Sequence, residues 1–170
     1  LADDWRREQL SQALDRALVN HHWRLAAFVY MPEHVHLLVY PVAAGLEIDK
    51  LLFAIKRPFS YRVKMKLTEA DDPLVGQLTI RQRPGKTTFR FWQEGAGYDR
   101  NIRSEKTLQA AIDYIHLNPV RRGLAERAAD YRWSSARWYE SDGRVEDPSL
   151  PTLSAVPYDW FAGSADVTSY

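Results

Sequence analysis

The stretch that most constrains the fold is "WRLAAFVYMPEHVHLLVY", Trp23 to Tyr40. Two apolar runs are divided by Pro32-Glu33, a short turn, so the segment is predicted to be a β-hairpin. Side chains alternate across a strand, which places Val35, Leu37 and Val39 on one face. His34, His36, Leu38 and Tyr40 take the other, so both histidines share the less apolar face.

Around this hairpin the pattern turns helical. Residues 4–19 carry Trp5, Leu10, Ala13, Leu14, Ala17 and Leu18 near one stripe, the mark of an amphipathic helix. Residues 47–67 read as a second helix, with Pro58 predicting a kink or interruption. Residues 68–88 read as a loop with a short strand near "QLTIRQR", and 87–95 as a further strand. The clearest helix is 104–118: Ser104 is its N-cap, Thr107 stands three residues on, and Leu108, Ala111, Ile112 and Ile115 form its buried stripe. Pro119 is expected to end it, because the residue before a proline is pushed out of the helical region. "DYRWSSARWYE" reads as a short helix. Residues 1–140 then form one domain, and 141–170, rich in Pro, Ser, Gly and Asp, a C-terminal arm. Strands interleaved with helices predict an α+β sandwich, one sheet with helices on one face.

Composition narrows the function. The chain has no cysteine, which excludes disulfides, thiolate metal sites and cysteine nucleophiles. No window approaches the ~18 apolar residues of a membrane helix and no secretory signal is present, so a cytoplasmic protein without a membrane partner is expected. The net charge is +1, but residues 50–106 hold 13 Lys and Arg against 6 Asp and Glu, between acidic flanks. Such a patch suits a polyanion, and equally a solvated helix face.

Two histidines at i and i+2 on a strand point the same way with Cα atoms roughly 6.5–7 Å apart, within reach of one metal ion. As neutral ligands they leave most of the ion's charge available to polarise a phosphodiester. The plainer alternative is a pair of exposed strand histidines. On the helix, Tyr114 and Asn118 fall at i and i+4 on one side. A tyrosine hydroxyl can attack phosphorus, although an ordinary pKa near ~10 makes it a poor nucleophile unaided. An amide oxygen one turn on can act as an uncharged ligand. The alternative here is core packing for Tyr114 and capping for Asn118. His116 points away from that side and stands outside the site. His21 and His22 are explained by favourable contacts at a helix end.

The motifs "MPEHVHLL", "FWQEGAGYDRNIRSEKTLQAAIDYIHLNPVRRGL" and "DYRWSSA", in that order, resemble the REP-associated tyrosine transposases, single-tyrosine members of the HUH endonucleases. The similarity spans about Trp5 to Tyr139. It implies a ferredoxin-like antiparallel sheet with the histidine pair on a central strand and the nucleophilic tyrosine on a following helix. It implies Mg²⁺ or Mn²⁺ at His34 and His36, with Asn118 completing the metal site and Tyr114 as the nucleophile. The implied substrate is single-stranded DNA in hairpins of repetitive extragenic palindromes, cut to a 5′-phosphotyrosine and a free 3′-hydroxyl. A monomer is favoured over a dimer. Lys56, Arg57, Arg62, Arg90, Arg100, Arg103, Arg121 and Arg122 are candidate phosphate contacts. Trp92 and Tyr98 are candidate base-stacking residues, with a core position the alternative for Trp92.

The chain departs from the family in two places. Glu33 stands in the turn where the family usually has Asn; little consequence is expected, with an extra carboxylate near the metal as the alternative. Relatives also begin with a strand before the first helix, so either that strand lies outside this sequence or the sheet has lost an edge. Three other readings compete: a hairpin-binding module without cleavage, an RNA-binding ferredoxin-like domain, and a histidine-ligated hydrolase that does without Tyr114.

Overall fold

The computed structural model describes residues 1, 3–93 and 101–161. In chain order the elements are α1 (Asp4–His21), β1 (Trp23–Tyr30), β2 (Val35–Pro41), α2 (Ile48–Glu69), α3 (Leu74–Gln77), β3 (Thr79–Arg83), β4 (Lys86–Phe89) and α4 (Glu105–Arg121). A 3₁₀ turn at Ala128–Asp130 and a short helix, α5 (Ala136–Glu140), follow. No described helix is long and apolar enough to cross a membrane.

The hairpin forms as its sequence predicts. β1 pairs antiparallel with β2, Val29 opposite His36 and Tyr30 opposite Val35. The register shifts between Leu25 and Ala27, so Leu25 and Phe28 reach the same side although three positions apart. That side, with Tyr30, Val35, Leu37 and Val39, packs against α1 and α2. In α2 the apolar residues recur every fourth position, Leu51, Ile55, Phe59, Val63 and Leu67, and all five are buried.

The opposite side of the sheet is covered too, which corrects the expectation of helices on one face. Ala27, Val29 and Met31 pack with Ile112 and Ile115 of α4, and Leu38 joins them. The physical reason lies in β1, where every residue but Arg24 is buried. Apolar side chains on both sides of a strand require cover on both sides.

The strand edges differ. The outer edge of β1 is capped: Tyr30 N–H donates to the Trp133 carbonyl (2.9 Å), Ser135 N–H to Phe28 (3.0 Å) and Ser154 N–H to Leu25 (2.9 Å). The outer edge of β2 has no strand beside it among the described residues. The histidine-bearing strand is therefore an edge strand of a two-stranded sheet here, not a central one. A cavity of about 860 Å³ runs along that edge, bordered by His34, Leu37, Val39, Ile55 and Trp92.

Both helical prolines lie inside continuous helices. Pro58 lies inside α2, on its exposed side, where the missing hydrogen bond falls toward water. Pro119 is inside α4, which continues to Arg121. The true end is set by Gly123 at φ 68°. Its N–H bonds to Val120 (3.0 Å), and Leu124 N–H bonds back to Pro119 (2.9 Å). This 5→2 and 6→1 pattern satisfies the last carbonyls, and Gly enters the left-handed region without steric cost.

The segment expected to be mostly loop holds α3 and the hairpin of β3 and β4, with Thr79 opposite Phe89. The strand expected over 87–95 is β4, which ends at Phe89. Part of the arm folds back on the domain. Thr152 N–H donates to Asp15 Oδ1 (2.8 Å) and Tyr40 O–H to the Ala155 carbonyl (2.8 Å).

Candidate functional site

His34 immediately precedes β2, its carbonyl taking the N–H of Met31 at 2.9 Å, and His36 is the second residue of the strand. Their rings lie edge to face with centroids 4.8 Å apart. The pair faces α4, as strand alternation requires. The ring of His36 also meets that of Tyr114 edge to face, centroids 5.3 Å apart. Residues from two elements thus converge, while Tyr114 keeps 49% of its surface open to solvent.

α4 supplies a stripe to this meeting point. Tyr114, Asn118 and Arg121 stand at i, i+4 and i+7, so successive turns bring them up on one side. Arg121 lies on it only because the helix runs through Pro119. Its guanidinium carbon sits 5.3 Å from the centre of the Tyr114 ring, within cation–π range. Asn118 is buried. Ser104 caps the other end of the helix through the predicted reciprocal box with Thr107.

His36 is suited to hold an ion. Its Nε2 is buried and has no hydrogen-bond partner. Burial, and secondarily the nearby His34, hold its pKa below the ordinary imidazole value, so it stays neutral and keeps a lone pair for a cation. His34 stands beside it and approaches Glu33 Oε2 at 3.9 Å from Nδ1. Among the described residues no three His, Cys, Asp or Glu side chains group to hold a metal. The nitrogen donors at this point are the imidazoles of His34 and His36, and the uncharged amide of Asn118 stands one helical turn beyond Tyr114.

The predicted DNA contacts divide. Arg57 and Arg103 are exposed, and Lys56 is half-buried beside the cavity. Arg62 is engaged elsewhere: its Nη1 donates to Gln9 and Gln12 of α1 at 3.1 and 3.3 Å, which ties α1 to α2. Arg90 is half-buried at the end of β4, its N–H bonded to the Leu78 carbonyl at 2.7 Å. Trp92 is half-buried beside the cavity, its ring packing on Phe59 and Phe91 and its Nε1–H donating to the Lys56 carbonyl (3.3 Å). Tyr98 and Arg100 lie outside the described residues. Arg122 reaches Glu33 at 3.5 Å and so links the end of α4 to the turn before His34.

Two features escaped the sequence. The Glu33–Arg122 pair joins residues distant in the chain, and nothing local announces it. Ser135 is the other: its Oγ lies 2.8 Å from His116 Nε2. Its polar character inside "RWSSARW" was the available signal.

With the site described, comparison with known proteins supplies the class of fold. No family model matches the chain, and no curated protein matches it. The chain does share its fold with a tyrosine transposase. A solved REP-associated tyrosine transposase bound to a REP hairpin aligns with a TM-score of 0.53 over 88% of this chain and 75% of that one, at 19% sequence identity.

Proposed function

We propose that this chain is a metal-dependent endonuclease and strand-transferase acting on single-stranded DNA hairpins of the repetitive extragenic palindrome type. The observation that carries the reading is the meeting of Tyr114 with His36, whose Nε2 is buried and unpartnered. The fold supports it, because the solved transposase that shares it is bound to a REP hairpin.

In this reading His34, His36 and Asn118 would hold the divalent ion, which would supply Lewis-acid polarisation of the scissile phosphate. Tyr114 Oη attacks phosphorus, the P–O3′ bond breaks, and the strand is left as a 5′-phosphotyrosine and a 3′-hydroxyl. The phenolic proton balances the oxyanion that leaves. Arg121, stacked over the tyrosine ring, brings positive charge to the developing phosphorane. Arg57, Arg103 and Arg122, all exposed, are the candidates in this reading for holding flanking phosphates.

The second reading is a hairpin-binding module without cleavage, favoured by the lack of a third carboxylate or imidazole beside the pair among the described residues. Covalent trapping separates the two. End-labelled hairpin DNA incubated with the protein and Mn²⁺ should give a denaturation-resistant protein–DNA band that disappears in Tyr114→Phe and in EDTA. Hairpin binding without band or nick would leave the binding module.

A further inference from the structure

His116 is a buried titratable side chain on α4 that the proposed chemistry does not use. It stands two residues from Tyr114, on the far side of the helix, and faces the capped edge of β1. There its Nε2 lies 2.8 Å from Ser135 Oγ. That oxygen in turn takes the N–H of Phe28 at 3.0 Å and lies 3.2 Å from the Phe28 carbonyl.

A serine hydroxyl has one hydrogen and two acceptor sites. Giving the hydrogen to the Phe28 carbonyl, one lone pair to Phe28 N–H and the other to His116 Nε2–H satisfies all three contacts. The ring of His116 also packs edge to face on Tyr139 at 5.0 Å, and Tyr139 O–H bonds to the Ala26 carbonyl at 2.9 Å. His116 is thereby joined to β1 at Phe28 and, through Tyr139, at Ala26. Phe28 adjoins Val29, the residue paired with His36.

Ile112 and Ile115 of α4 add apolar contacts with Ala27, Val29 and Met31 of the hairpin. Burial of this kind is non-directional and tolerates a small roll of the helix. A roll of ~20° moves a group ~6 Å from the axis by about 2 Å. The exposed Arg122–Glu33 pair is screened by water and restrains little.

We propose that His116 is a positioning residue: through Ser135 it fixes the roll of α4 on β1 and so holds Tyr114 against His36. In its catalytic consequence this rests on the tyrosine-nuclease reading. In its geometry it stands alone.

The test uses the full chain with His116→Leu, which keeps bulk without a polar atom, and His116→Gln, whose amide can still donate to Ser135. Three quantities are read: hairpin Kd, the single-turnover rate of phosphotyrosine formation in Mn²⁺, and the nuclear Overhauser contact between the His36 and Tyr114 rings. For His116→Leu the expected result is a Kd within about 2-fold of the parent, an adduct rate lower by about 10-fold or more, and loss of the ring contact. His116→Gln should recover most of the rate and the ring contact.

The proposal is overturned if His116→Leu keeps the ring contact and the rate, or if Kd and rate fall together without recovery in His116→Gln. Ser135→Ala, which removes the acceptor and leaves the imidazole, reads the same ring contact should His116→Leu not fold. A parent protein that forms no adduct refutes the nuclease reading, and the ring contact alone then decides the role of His116.

Discussion

The rings of His36 and Tyr114 meet edge to face, 5.3 Å between centroids, across the gap between β2 and α4. Strand alternation turns His36 toward α4, and helical periodicity turns Tyr114 toward β2. Each half of the contact follows from a local period. Their meeting requires β1 to be covered by α4 on the side away from α1 and α2.

If the histidine pair holds a divalent ion, Mn²⁺ will stabilise the folded chain. At a concentration 100-fold above Kd the gain is about 2.7 kcal/mol, or a rise in Tm of roughly 5–10 °C for a domain of this size. His34→Ala and His36→Ala should each remove the shift, and Asn118→Ala should reduce it. Calorimetry with and without Mn²⁺ checks this. An equal shift in the double histidine variant would show that the ion binds elsewhere.

Arg121→Ala removes a cation from the face of Tyr114. The stability change should stay within about 1 kcal/mol, as for an exposed cation–π contact. The rate of phosphotyrosine formation should fall about 10-fold or more, because the charge acts on the transition state. Arg121→Lys should recover part of the rate. Arg62→Ala should leave hairpin affinity nearly unchanged, since its guanidinium is engaged by Gln9 and Gln12. A large loss of affinity in that variant would place α2 in the DNA contact after all.

Much of this site was legible in the sequence because its elements have clean periods. The facing of His34 and His36 followed from alternation, and the alignment of Tyr114 with Asn118 from the helical turn. Arg121 was legible only as a charge, since Pro119 suggested a helix end. The stronger signal was Gly123, which alone supplies the left-handed residue that closes the helix. Helices on one face were expected from the interleaving of strands and helices, whereas the apolar run of β1 calls for cover on both faces. Trp92 had two readings, and its ring packs on Phe59 while staying half-exposed beside the cavity. Long-range partners such as Ser135 for His116 depend on how elements are stacked, and no local pattern encodes them.

Gly123→Ala tests the end of α4. No atom lies within 4 Å of a Cβ built there, so the cost is backbone strain alone, about 1–2 kcal/mol for a left-handed residue. Chemical denaturation should show that loss, and Gly123→Asn a smaller one, because Asn tolerates this region better. Unchanged stability in Gly123→Ala would mean that the helix ends elsewhere.

The arm contributes to stability through backbone bonds, so truncation after residue 148 should be felt in the domain. It removes the partners of Asp15, Leu25 and Tyr40. Each exposed or half-exposed bond is worth about 0.5–1.5 kcal/mol, and Tm should fall by several degrees. A chain of residues 1–148 with unaltered Tm would show these contacts to be idle.

The two histidines facing α4's two sides make stability depend on pH in a defined direction. Burial lowers the pKa of His116 from 6.5 to about 4, and lowers that of His36 as well. The unfolded chain therefore binds these protons first as pH falls. Their contribution is full above about 6.5 and is lost as pH drops toward the folded values. Asp147, held at about 2 chiefly by its hydrogen bond from Arg132, loses its contribution only between about 3.8 and 2, below this window. Asp15, raised by burial, works in the opposite direction, so the comparison of variants matters more than the parent curve. Urea midpoints measured at pH 7.5, 6 and 5 should fall in the parent and fall less steeply in His116→Leu. Parallel curves would mean that His116 titrates normally in the folded chain, and the burial assigned to it would be wrong.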